Sequence, residues 1–131
     1  MITVDEYENF DAVGLATLIA DKEVSALEVV ESAIARIESR NLALNAVIAT
    51  LFDDARAAVG QGLPRGPLSG VPYLVKDLNT WIEGVPATNG SRAFRQFVPE
   101  TDSILISRLR AAGLVILGKT NTPELGLNIC T

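Results

Sequence analysis

Apolar residues recur along this chain at two different spacings, and the change between them falls near residue 60. In the first half Leu15, Leu18 and Ile19 share a face at helical spacing, which predicts a helix from Asp11 to about Lys22. A second helix is predicted from Ala26 to about Arg40. Ser25 with Glu28 three residues later forms a capping box there, and Leu27, Val30, Ile34 and Ile37 repeat at intervals of three and four. The run Ala46 to Leu51 fits either a strand or the start of a third helix, while Asp53 to Val59 reads as helical with Gly60 as its stop. Residues 60–70 hold four Gly and two Pro, too many for a regular element, and read as a linker or surface loop.

From Val71 the pattern becomes that of buried strands. VPYLVKDL is a short apolar run with valine and tyrosine, and LVIL, residues 114–117, is a second one. Between them residues 102–112 predict a helix capped by Thr101 or Asp102, with Leu105, Leu109 and Ala112 on one face and Gly113 at its end. Strand, helix and strand in that order imply a right-handed βαβ unit, hence parallel strands covered by helices. A further helix is expected from Thr122, with Pro123 at its first position. The chain is therefore expected to be an α/β protein, with a helical amino-terminal arm over 1–62 and an α/β core over 63–131. Because the sequence stops inside an apolar helical pattern, that core is expected to be incomplete at its carboxyl end.

Composition narrows the chemistry. A hydrophobic content of 48% in 131 residues suffices for a core. Eleven Lys plus Arg against sixteen Asp plus Glu give a net charge of −5 without a basic run, which argues against direct nucleic-acid binding. MITVDEYENF is acidic and lacks a signal pattern, and no stretch is apolar enough to span a bilayer, so a cytoplasmic protein without membrane contact is expected. One cysteine, Cys130, and no histidine leave no internal disulfide, no zinc-type cluster and no imidazole base. No metal or cofactor is expected, and Cys130 reads as a small core residue. Any hydrolysis must then use lysine, aspartate or glutamate as base.

Parallel neighbours send their carboxyl ends to one edge of a sheet, where ligands of such sheets bind. Lys76 and Asp77 leave the first strand at that edge, and Lys119, Thr120 and Asn121 leave the second. The connection 77–101 far exceeds the roughly two to six residues usual between strand and helix. It carries Thr88, Asn89, Gly90 and Ser91, small groups suited to backbone contact with a substrate. Lys76 follows an apolar run, so its amine is expected at or under the sheet surface, where desolvation favours the neutral form that can accept a proton. The rival reading pairs Lys76 with Asp77 or another acid as a simple strand end. Gly113, Gly118, Lys119 and Thr120 match the letters of a phosphate loop, G-x-x-x-x-G-K-[ST]. The context is wrong, since the predicted strand occupies the cradle and a helix precedes it.

The segments GPLSGVPYLVKDL (66–78), TNGS (88–91) and TDSILISRLRAAGLVILGKTNTPELG (101–126), with EVSALEVVESAIARI (23–37) and LNAV (44–47), resemble the amidase signature family over nearly the whole chain. That resemblance implies hydrolysis of carboxamides through a Ser-cisSer-Lys triad and an acyl-serine intermediate, with Lys76 as its lysine. It further implies Thr88, Asn89, Gly90 and Ser91 near the substrate, and Asp77, Lys119, Thr120 and Asn121 in support of the site. The family's Gly- and Ser-rich segment, which supplies both serines and the oxyanion donors, has no counterpart up to Thr131. The 131-residue chain alone is thus expected to be inactive. Small linear or cyclic amides are the implied substrates, and a homodimer is compatible with the resemblance. The alternatives are the A-type subunit of glutamyl-tRNA amidotransferase, which would need partner subunits, and a non-catalytic binding module.

Overall fold

A computed structural model describes residues 4–131. The expectation that MITVDEYENF carries no leader falls in part on residues 1–3, outside the described residues. The chain forms α1 (Val4–Tyr7), α2 (Ala12–Ala20), α3 (Ala26–Leu44), β1 (Val47–Thr50), α4 (Phe52–Gln61), β2 (Pro72–Lys76), α5 (Ile104–Ala111) and β3 (Val115–Thr120). Single 3-10 turns lie at Arg92–Phe94 and Glu124–Gly126.

Helix α3 starts where its capping box predicts: the Ser25 hydroxyl accepts from the Glu28 N–H (3.2 Å) and the Glu28 carboxylate accepts from the Ser25 N–H (2.8 Å). It runs a turn past the expected Arg40 and stops at Asn45, which takes the left-handed conformation (φ 48°) that asparagine tolerates better than most residues. The Asn41 side chain then clamps both backbone groups of Val47 at 2.8 Å, turning the chain into β1. The open alternative at 46–51 thus resolves as a strand. Helix α4 continues through Gly60, whose backbone is helical, and is terminated instead by Gly62 (φ 96°). Arg56 on α4 holds Glu31 on α3 through two bonds of 2.6 and 3.0 Å, which keeps that carboxyl below the usual carboxylate range.

The sheet has the order β1-β3-β2. Strand β2 runs parallel to β3, as the strand-helix-strand order implies, while β1 pairs antiparallel on the other side, so the sheet is mixed. Strand β3 extends beyond the expected residue 117 to Thr120, because Gly118, Lys119 and Thr120 stay in register with both neighbours. Gly118 is required there: a Cβ would sit 2.3 Å from the Ala49 carbonyl oxygen. One core joins Val30, Ala33 and Ile34 of α3 and Ala55 of α4 to Val115 and Leu117, with Leu74 packed against it. A second joins Val75, Ile82, Ile106 and Ile116. Packing therefore crosses the compositional boundary at 62/63. Burial of each such Val or Ile contributes about 1.5–3 kcal/mol.

Three further expectations change. The cap of α5 is Ser103 and not Thr101 or Asp102, because Asp102 is taken by the Glu83 N–H (2.9 Å) and Arg110 (2.9 Å). The Gly/Pro segment is docked and not a free linker: the Leu68 and Gly70 N–H groups donate to the carbonyls of Ala112 (3.2 Å) and Gly113 (2.9 Å). No helix begins at Thr122. Pro123 is extended and Leu125 is left-handed (φ 51°), with the Leu125 N–H tied to the Asn89 carbonyl, leaving only a 3-10 turn. Among the described residues no helix is long and apolar enough to cross a membrane.

Gly113 closes α5 with φ 87°, and a Cβ there would meet the Ser69 Cα at 2.6 Å. Gly113→Ala is expected to lower stability by about 1–3 kcal/mol through left-handed strain and the displaced loop, read from the urea unfolding midpoint. Gly60→Ala, which meets nothing within 4 Å, is expected to be neutral or stabilising in the same assay.

Candidate functional site

Strand alternation sends consecutive side chains of β2 to opposite faces. Val75 enters the Ile82–Ile106–Ile116 core, and Leu74 packs against the helical core on the other side. Asp77 follows the face of Val75, and Lys76 follows that of Leu74. The two neighbours consequently meet different surroundings.

Asp77 is almost fully buried, at 1% exposure, and so is Lys119, also at 1%. Their side chains form an ion pair, and the Lys119 ammonium also donates to the Pro86 carbonyl at 2.9 Å. The Asp77 carboxylate accepts two further donors from Thr88, the backbone N–H (3.2 Å) and the hydroxyl (2.5 Å). A buried carboxylate and a buried ammonium are thus both satisfied, and the connection 77–91 is drawn back over the sheet edge.

Lys76 is exposed. This corrects the expectation of a desolvated amine: the lysine taken under the sheet is Lys119, because its position opposite Val75 in the ladder faces the covered side. Nor does Lys76 pair with Asp77. Among the described residues its ammonium has no ion-pair or hydrogen-bond partner, whereas its backbone is held firmly. The Thr80 hydroxyl donates to the Lys76 carbonyl, and the next N–H, that of Asp77, donates to the Thr120 carbonyl (3.0 Å).

The TNGS segment is stitched to its neighbours. Besides the Thr88 contacts, the Asn89 side-chain oxygen accepts from the Asn79 N–H at 2.9 Å. Ser91 is buried and its hydroxyl donates to Glu124 at 2.6 Å, joining the segment to the stretch after β3. Gly90 (φ 67°) is packed so closely that a Cβ would lie 2.5 Å from the Thr122 carbonyl oxygen. Of the four, Gly90 is exposed and Asn89 half-buried. Thr120 lies opposite Lys76 in the ladder, and Asn121 secures the start of β1 through the carbonyls of Ala46 (2.8 Å) and Asn45 (3.3 Å). Lys119 and Thr120 lie within β3 instead of leaving it, and with Lys119 buried against Asp77 the phosphate-loop letters form no cradle. Cys130 is exposed, which corrects its reading as a core residue.

Sequence reasoning missed Thr80, Pro86 and Glu124. The first two carry no pattern, since one acts through an i,i+4 bond to a strand carbonyl and the other through its own carbonyl. Glu124 stands inside GKTNTPELG, but nothing in its residue type or spacing points to Ser91 as its partner. An open groove of about 610 Å³ lies elsewhere, among residues such as Tyr7, Phe10, Ile37 and Leu74, and neither Lys76 nor 88–91 lines it. The sheet edge is the better candidate, because the charged side chains lining the groove are paired with one another, Glu8 with Arg36 and Arg40.

The amidase family model matches residues 28–131. This chain belongs to the amidase signature family. It is 40% identical over 123 residues to a 6-aminohexanoate-cyclic-dimer hydrolase of Paenarthrobacter ureafaciens, covering 92% of the chain and 24% of that protein. To the A-type subunit of the glutamyl-tRNA(Gln) amidotransferase of Salinispora tropica it is also 40% identical, over 94% of the chain and 26% of the relative. The solved 6-aminohexanoate cyclic dimer hydrolase superposes with a TM-score of 0.86 at 39% identity, covering 93% of the chain and 25% of that structure. A bacterial aryl acylamidase of the amidase signature family superposes at 0.76 with 35% identity, over 88% of the chain and 26% of that structure. The chain therefore spans about a quarter of the length of the relatives it matches. Both the α/β architecture and the family follow, and amide-hydrolysing enzymes are the class to which its relatives belong.

Removing one partner of the buried pair leaves the other charge uncompensated. Lys119→Met is expected to destabilise the protein by about 3–5 kcal/mol, whereas Lys22→Met, at an exposed lysine, should stay within about 0.5 kcal/mol, both measured by thermal unfolding.

Proposed function

We propose that the protein containing these residues hydrolyses carboxamides, releasing a carboxylate and an amine or ammonia, with Lys76 as the base of a Ser-cisSer-Lys triad. The observation that carries the reading is the state of Lys76: at the carboxyl end of a strand parallel to its neighbour, backbone fixed, ammonium without a partner among the described residues. Deprotonated, such an amine takes a proton through a bridging serine while a second serine attacks the amide carbonyl. The amine or ammonia departs with a proton, and water then cleaves the acyl-serine ester. In this reading Asn89 and Gly90 lie nearest the substrate, with Thr88 and Ser91 holding them.

The seven serines of this chain are otherwise engaged. Ser25 and Ser103 cap helices, Ser32, Ser39 and Ser107 bond to carbonyls of the preceding turn, Ser69 bonds to Pro64, and Ser91 to Glu124. Both triad serines are therefore proposed to lie outside these 131 residues. The chain by itself is proposed to be inactive.

Cyclic and linear amides of the 6-aminohexanoate kind are the first substrates to try, given the activity for which those relatives are named. The equal identity to amidotransferase A-type subunits supports a second reading, in which the same lysine serves a multi-subunit complex acting on glutamyl-tRNA. Substrate preference separates the two. In the protein made from the full reading frame, turnover is measured on 6-aminohexanoate cyclic dimer, an anilide, a peptide amide and glutamine. Lys76→Met is expected to lower kcat/KM about 10²–10⁴-fold on the amide that is cleaved. Undiminished turnover by the folded variant removes Lys76 as base.

A further inference from the structure

Lys76 has a free side chain on an immobile backbone, and what immobilises it lies on the other face of the sheet. The peptide joining Lys76 to Asp77 is held at both ends, its carbonyl by the Thr80 hydroxyl and its N–H by the Thr120 carbonyl. The following carboxylate is gripped by Lys119 and twice by Thr88. Lys119 in turn reaches the Pro86 carbonyl, nine residues further along the connection. A neutral anchor could slip at small cost. This one cannot, because any rotation that withdraws Asp77 from Lys119 leaves an ammonium and a carboxylate, each about 1% exposed, without an opposite charge. The direction of the Cα–Cβ bond of Lys76 is then fixed by a charge pair that its side chain never touches.

We propose that Lys119 is a positioning residue for Lys76, acting through Asp77 and the Lys76–Asp77 peptide. Its catalytic consequence rests on the reading of Lys76 as base; the positioning itself does not. Loss of the pair turns Lys76 away from its working direction, and an error of about 1 Å in a reacting group can cost about 10²-fold in rate.

The test uses the full-length protein carrying Lys119→Met together with Asp77→Asn, a pair that removes both charges while the amide oxygen can still accept from Thr88. Acetylation by acetic anhydride is followed by mass spectrometry at Lys76 and at the exposed Lys22, which serves as internal reference. The Lys76 to Lys22 ratio is expected to change about threefold or more, and kcat on the cleaved amide to fall about 10²-fold with little change in KM. A folded variant with the parent's labelling ratio and kcat would overturn the proposal, reducing the pair to a structural tie. If the ratio moves while Lys76→Met retains turnover, the positioning stands and the base reading falls. Should the double variant not fold, Thr88→Val removes one donor to Asp77 and is expected to shift the ratio in the same direction by less; an unchanged ratio there also overturns the proposal.

Discussion

An ammonium and a carboxylate enclosed together beneath a loop dominate this structure. Enclosing either alone costs several kcal/mol, and their attraction offsets that cost only when the remaining donors and acceptors are also satisfied. Lys119 and Asp77 meet the condition with groups drawn from three places: the middle of the sheet, the end of β2 and the connection at Pro86 and Thr88. None of the three can be misplaced without stranding a charge. The arrangement demands that strand register and loop path form together, and it turns a long connection with little regular structure into a defined one.

What lies outside that enclosure inherits its shape. Alternation along β2 and just past it makes Asp77 an interior residue and its neighbour Lys76 a surface one. On the loop side, Thr88 and Ser91 spend their hydroxyls on Asp77 and Glu124, and Gly90 admits the backbone of 122–123 where no Cβ would fit. The result is a closely bonded rim near the Lys76 amine, which has no partner among the described residues. The same framework superposes on the solved 6-aminohexanoate cyclic dimer hydrolase at a TM-score of 0.86.

Much of this was legible in the letters. The capping box of Ser25 and Glu28, the left-handed stop at Gly113 and the apolar runs at 72–76 and 115–117 are local signals, and local physics decides them. The parallel pairing of β2 with β3 followed from connection order. Less legible was whatever depends on partners distant in sequence. The extension of β3 to Thr120 needs Ala49 and Val75 beside Lys119, and Leu125 takes a left-handed turn because its N–H is claimed by Asn89. The lysines show the same limit most sharply. Both follow apolar runs, and only the three-dimensional ladder tells which one faces the covered side. Parallel-strand geometry put Lys76 and Lys119 at neighbouring places on the sheet, but the bonds that consume Thr88 and Ser91 could not be read from residue type.

Native-state hydrogen exchange at the Thr88 amide probes the enclosed charge pair most directly, since among the described residues that N–H donates only to the Asp77 carboxylate. If the pair governs the edge, Thr88 exchanges as slowly as the amides of β3 and opens only with them. Exchange at Thr88 as fast as at exposed loop positions, while β3 stays protected, would contradict it.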